Sequence, residues 1–193
     1  NLAAGEGGGW AENAVTPKMA GTIAVKPDAI LSVLAHELAH TMYGPEAADG
    51  TPGCRLPSWW SEAHAGWFQR KVIREMGFGD RWPYWPRGLA NLDPMLDTVD
   101  LAKVKDDQMR QAWEKAWILW SILDARSGAE WYPQWLSHIH RKFNDPKRQL
   151  TMDEYVRSLS ESIGEDVSGL FLRFGTTLGP AAASGLPPMG PKK

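Results

Sequence analysis

The chain has almost no cysteine. Cys54 stands alone among 193 residues, so no intrachain disulfide is available and stability has to come from packing. Long apolar runs are missing too: no stretch approaches the roughly 18 residues of a membrane-spanning helix. Neither sign of charge dominates. The 21 Lys and Arg residues against 23 Asp and Glu give a net charge of −2. The cations are spread along the chain and form no basic stripe, which argues against nucleic acid as a partner. No signal peptide opens the chain, and it begins at Asn1 rather than Met. A processed protein or an excised domain is therefore expected, with a secreted or cell-envelope location favoured and the compartment otherwise open.

What the chain does carry is His36-Glu37-Leu38-Ala39-His40. Residues four apart lie on one face of an α-helix, so both imidazoles can reach a single Zn²⁺ ion. Glu37, one step round the turn, can reach a metal-bound water as general base, which is the logic of the H-E-x-x-H pattern. The flanks suit a metal helix. Gly21-Thr22-Ile23-Ala24-Val25 reads as a strand, and Pro27-Asp28 as a helix start with Asp28 at the N-cap. Ile30, Leu31, Val33, Leu34, Leu38 and Met42 give an apolar stripe. Gly44-Pro45 ends the helix.

A catalytic zinc site takes three protein ligands and keeps a fourth position open. Residues Thr41-Met42-Tyr43 do not continue into a metzincin pattern, so the third ligand lies elsewhere. Glu62 is the candidate, about one turn into a helix opened by Pro57-Ser58, with Ser58 as N-cap. Ala63, Ala65 and Gly66 beside it permit close helix packing. Glu46 and Asp49, in the intervening loop, are less well placed. His64, two residues on, points away from Glu62 and reads as support or packing, and Cys54 as a bystander thiol.

The pairing of His36-Glu37-Leu38-Ala39-His40 with Leu56-Pro57-Ser58-Trp59-Trp60-Ser61-Glu62-Ala63 resembles the gluzincin zinc metallopeptidases. Their second helix commonly reads Pro-x-Trp-hydrophobic-x-Glu-Gly-x-Ala, and this chain has Ala63 at the usual glycine. The resemblance is strongest over residues 20–76. It extends more weakly to about residue 178, where the segments from Trp113 to Phe171 are similar to the C-terminal helices of M1-like and M60-like gluzincins. It implies an α+β, mainly α fold: a zincin-like core of an edge strand and two zinc-ligand helices, with a helical C-terminal lobe. It also implies one Zn²⁺ per chain on His36, His40 and Glu62, with Glu37 as base, acting on peptide, protein or glycoprotein substrates as an endopeptidase. Two departures argue against aminopeptidase action. Trp113 stands where the aminopeptidase branch has its intermediate-stabilising tyrosine in Tyr-Glu-Lys-Gly, and the Gly-Ala-Met-Glu-Asn element is missing. The alternative is a non-catalytic protein- or glycan-binding module that keeps the fold and zinc site.

Candidates for the oxyanion donor or substrate contacts are Trp113, Tyr132, Tyr155, His138 and His140. Among eleven tryptophans, Trp113, Trp117 and Trp120 sit at core spacing on a helix expected from about Thr98 to Arg126. Trp82 and Trp85, in a Pro- and Gly-rich loop from Gly77 to Pro94, are candidate cleft aromatics for sugar stacking. Further helices are expected from about Trp131 to Phe143, from the Thr151-Met152-Asp153-Glu154 capping box to Gly164, and around Leu170, Phe171 and Phe174. Residues 1–18 read as a flexible lead-in, 19–178 as one catalytic domain, and 179–193 as a Pro/Gly/Ala-rich tail or linker. Both ends are points where other domains could join.

Overall fold

A computed structural model describes residues 8–11, 17–20, 27–42, 54–77, 99–143, 145 and 147–189. The architecture is mainly helical. Helix α1 spans Pro27–Met42 and α2 spans Trp60–Glu75. A 3₁₀ turn at Asp106–Gln108 leads into α3, Met109–Ser127. Then come α4 (Trp131–Lys142), α5 (Met152–Ile163), α6 (Ser168–Arg173) and a 3₁₀ turn at Pro180–Ala182. A short antiparallel ribbon pairs β1 (Gly8–Ala11) with β2 (Pro17–Ala20), within the segment read as a flexible lead-in, and packs on α1. The strand expected over residues 21–25 lies outside the described residues.

Helices α3 to α6 and the start of α2 enclose an aromatic core. Trp59, Trp67, Trp120, Trp131, Trp135, Tyr155 and Phe171 are its largest fully buried side chains. Indole N–H groups are polar and must be matched when buried. Trp59 donates to Leu101 C=O at 2.9 Å, Trp120 to Tyr155 Oη at 3.0 Å, and Trp135 to Ser158 Oγ at 2.9 Å. The tryptophans therefore orient the helices as well as fill space. Cys54 is buried in this core, as befits a bystander thiol.

Local signals hold where they are self-contained. Thr151 Oγ1 accepts from the Glu154 N–H at 3.2 Å, and Glu154 accepts from the Thr151 N–H at 3.0 Å, closing the capping box. Gly164 ends α5 at φ +80°, a conformation that favours glycine. Three helix starts need correction. Helix α1 begins at Pro27, so Asp28 lies in its first turn and is not its N-cap. Helix α2 begins one residue later than Ser58 would allow: Trp59 occupies the N-cap, and a preceding turn closes from Trp60 N–H to Pro57 C=O at 2.8 Å. Helix α3 begins at Met109, about eleven residues after the expected Thr98. Asp100 explains this, because its Oδ1 accepts from Ala102 N–H at 3.0 Å and Thr177 N–H at 2.9 Å, holding the segment in a turn against the C-terminal region.

The segment from residue 179, read as a tail or linker, packs on α5 as far as Met189. Gly179 N–H donates to Asp153 Oδ1 at 2.9 Å, Ala182 is buried, and Arg157 donates to Ala183 C=O at 3.0 Å. Its composition suggested a linker, but small residues and proline also suit a strap lying close over a helix. Among the described residues no helix is long and apolar enough to cross a membrane.

Gly66 of α2 faces α3 so closely that a Cβ there would stand 2.7 Å from Trp117 Cζ2. That ring cannot swing aside easily, since its N–H donates to Ala63 C=O at 2.7 Å and Arg70 stacks on its face at 3.4 Å. Gly66→Ala gains helix propensity of about 1 kcal/mol but overpacks at a cost of about 1–3 kcal/mol. A net loss of up to about 2 kcal/mol in urea unfolding is expected; a stabilised variant would show that the α2–α3 contact is looser than described.

Candidate metal centre

The triad sits between α1 and α2, which run antiparallel. Ser32 meets Gln69, Ala39 meets His64, and His40 meets Ser61. Among the described side chains of α1, those buried are Ser32, Ala35, Glu37 and Ala39. The leucine stripe expected from periodicity is not the buried face: Leu31, Val33 and Leu34 are half-buried and Leu38 is 41% exposed. Small and polar residues line the contact because bulky ones would hold the two helices too far apart for ligands from both to converge. Ile30 and Met42 have side chains outside the described set.

His36, His40 and Glu62 bring three ligand atoms together. His36 Nε2 and His40 Nε2 stand 3.2 Å apart. Each is 3.3 Å from an oxygen of Glu62, His36 from Oε2 and His40 from Oε1. An imidazole Nε2 carries either one hydrogen or one lone pair, so it cannot serve two neighbours in this way with protons alone. A cation among the three satisfies all of them. Tetrahedral ligands at 2.0–2.1 Å from zinc stand about 3.3 Å from one another, the spacing found here. Two imidazoles and a carboxylate are also the donor set of catalytic zinc sites. The residues fit the ion.

The atoms behind the ligands fit it as well. His40 Nδ1 lies 3.0 Å from Ser61 Oγ. With Nδ1 donating there, Nε2 keeps the lone pair a metal requires. His36 is hydrogen-bonded by Gln69, whose amide in turn donates to Ser32 Oγ. Ser61 and Gln69 were missed in the sequence. The signal for Gln69 was its position seven residues after Glu62, on the same face of α2, and that for Ser32 its place four before His36.

Glu37 occupies the most telling position. It is 3% exposed, and its Oε2 is buried with no hydrogen-bond partner among the described residues. Burial raises its pKa above the ordinary 4.5, against the pull of His36 and His40. Hydrogen bonds from His36 and His40 hold the Glu62 carboxyl well below the usual carboxylate range. Burial draws His36 down, yet Glu62, Glu37 and Gln69 outweigh it and leave the net shift upward.

The remaining candidates separate. Tyr155 is fully buried and accepts from Trp120 in the core, and burial pushes its pKa up. Tyr132 is buried with its hydroxyl on His64 Nδ1. Both hydroxyls thus have partners in the core. His138 pairs with Glu161 at 3.0 Å, and His140 sits half-buried in the last turn of α4. Trp113 keeps a buried indole N–H with no hydrogen-bond partner among the described residues. Trp82, Trp85, Glu46 and Asp49 lie outside those residues. His64 does pack behind the site, as expected. Burial lowers its pKa to about 3, so it is neutral at any ordinary pH.

Comparison with known proteins finds no family model, no curated protein and no solved structure that matches this chain.

The charges of the triad give a pH signature in the metal-free protein. Glu62, with its lowered pKa, contributes stability above its ordinary 4.5 that is lost as pH falls through the folded value. His36, with its raised pKa, contributes stability below its ordinary 6.5 that is lost as pH rises through the folded value. Both contributions are full only between about pH 4.5 and 6.5. The difference in Tm between wild type and Glu62→Gln, followed by circular dichroism in chelator, should be widest in that window and shrink toward pH 8. A difference that grows steadily to pH 8 would contradict the pairing.

Proposed function

We propose that the chain is a zinc metallopeptidase domain of gluzincin type, with a zincin-like core around α1 and α2, that hydrolyses peptide bonds in protein or glycoprotein substrates, probing them as an endopeptidase. The observation that carries this reading is Glu37: a buried carboxylate oxygen with no partner among the described residues, one position from a ligand of a two-histidine, one-glutamate triad. A structural metal site needs no such group. A base that must take and return a proton does.

His36, His40 and Glu62 would hold one Zn²⁺ per chain. Bound there, the ion supplies Lewis acidity, lowering the pKa of water toward neutrality and polarising a carbonyl. Glu37 accepts the proton of the attacking water as the C–O bond forms. It then delivers that proton to the departing amine as the C–N bond breaks. Burial favours this role by raising its pKa toward the working range. Ser61 and Gln69 keep the imidazoles aimed. Trp113, whose buried indole N–H has no hydrogen-bond partner among the described residues, is a candidate oxyanion donor.

A second reading, a protein- or glycan-binding module that retains the zinc site, is favoured by one observation: Tyr132 and Tyr155 are both committed to core hydrogen bonds. One experiment separates the two. Zinc-loaded wild type and Glu37→Gln are incubated with a diverse mixture of peptides and glycopeptides, and the products are read by mass spectrometry. Cleavage by wild type, reduced by about 10²–10⁴-fold or more in a variant that still binds one zinc, is expected. Wild type that binds one zinc per chain and cleaves nothing would overturn the peptidase in favour of the binding module.

A further inference from the structure

We propose that His64 is the positioning residue of the metal centre: it locks the last turn of α1 onto α2 and so sets the separation of His40 from Glu62. The inference rests on the metal-binding reading above. The last four carbonyls of an α-helix have no partner within it. The Ala39 carbonyl stands at the edge of that set, in the last turn of α1, and a carbonyl oxygen has two lone pairs, so it can accept from outside the helix. His64 Nε2 stands 3.0 Å from it. A carbonyl only accepts, so Nε2 carries the hydrogen and donates. Nδ1 is then the acceptor for the Tyr132 hydroxyl.

The ring has no freedom to turn. It is 1% exposed. Trp60 stacks on it at 4.6 Å between centroids and 6° from parallel, and Tyr132 stacks at 5.5 Å and 13°. Space alone does not explain a histidine here. Phenylalanine would fill the same slot without two polar nitrogens to desolvate. What phenylalanine lacks is a directed N–H. The placement of the bond gives it leverage: Glu62 and His64 are two residues apart on α2, while Ala39 and His40 are neighbours on α1. One hydrogen bond therefore fixes both helices at the level of the triad, and Tyr132 ties that bond to α4.

The test compares wild type, His64→Phe and His64→Gln in full-length protein. Zinc affinity is measured by competition with a chromophoric chelator, and ligand geometry by the visible absorption of the Co²⁺-substituted protein. Neither readout depends on turnover. His64→Phe, with helical circular dichroism retained, should bind zinc about ten- to hundredfold more weakly, with an altered cobalt spectrum. His64→Gln, whose amide nitrogen can occupy the place of Nε2, should restore both toward wild type. If His64→Phe does not fold, Tyr132→Phe replaces it; that variant keeps the ring, loses the O–H, and should weaken zinc binding and shift the cobalt spectrum in the same direction. Wild-type affinity and spectrum in the folded phenylalanine variant would reduce His64 to packing and leave the metal centre standing. Wild type that takes up no zinc would overturn the metal centre itself, and this inference with it.

Discussion

Helix α1 carries His36, Glu37 and His40, and α2 carries Glu62, so the triad exists only while these helices lie close together. That approach rests on side chains of small size and on polar ties, not on an apolar seam. Ser32, Ala35 and Ala39 are buried on α1, and Ala65 on α2. Across the gap run Gln69 to Ser32, His64 to Ala39, and Ser61 to His40. Each tie is directional, so it specifies a register as well as a distance. A leucine seam would have stabilised the pair more but left its sliding and rotation less determined.

Behind α2 the aromatic core supplies the rigidity that α1 lacks. Trp60, Phe68 and Tyr132 surround His64, Trp67 packs on Tyr132, and Trp120, Trp135 and Tyr155 continue the cluster toward α5. Aromatic side chains give large buried area for few rotatable bonds, and their polar tips fix orientation. The position of Glu62 is thus set by a body in which nearly every large ring touches another. The electrostatics follow from the same layout. Glu62 is half-exposed at the edge of that body, whereas Glu37 is sealed against it, so two carboxylates beside the same imidazoles shift in opposite directions.

The convergence of the triad was more legible than the packing. His36, Glu37 and His40 share a helix turn by spacing alone, and Glu62 was reached from a helix start and small neighbours, because side chains that converge on one point must obey local geometry. Capping signals at Thr151 and Gly164 were readable for the same reason: their partners lie within four residues. The start of α3 was not, since Asp100 answers to Thr177, a residue 77 positions away. The buried face of α1 was misread because periodicity ranks residues by hydrophobicity, while a close helix contact selects by volume. Likewise the roles of Tyr132 and Tyr155 depend on which side chain lies across the core, and composition carries no record of that.

Among the described residues, helix α1 contributes no side chain to the aromatic cluster. Cooperative unfolding follows the density of shared buried surface, and elements outside it open at lower free energy than the whole. Among the described residues the triad thus lies on the boundary of that cluster: Glu62 stands on a helix that belongs to it, His36 and His40 on one that adds no side chain to it. Whatever bridges His36 and His40 to Glu62 spans that boundary, and so ties α1 to the body that α2 belongs to.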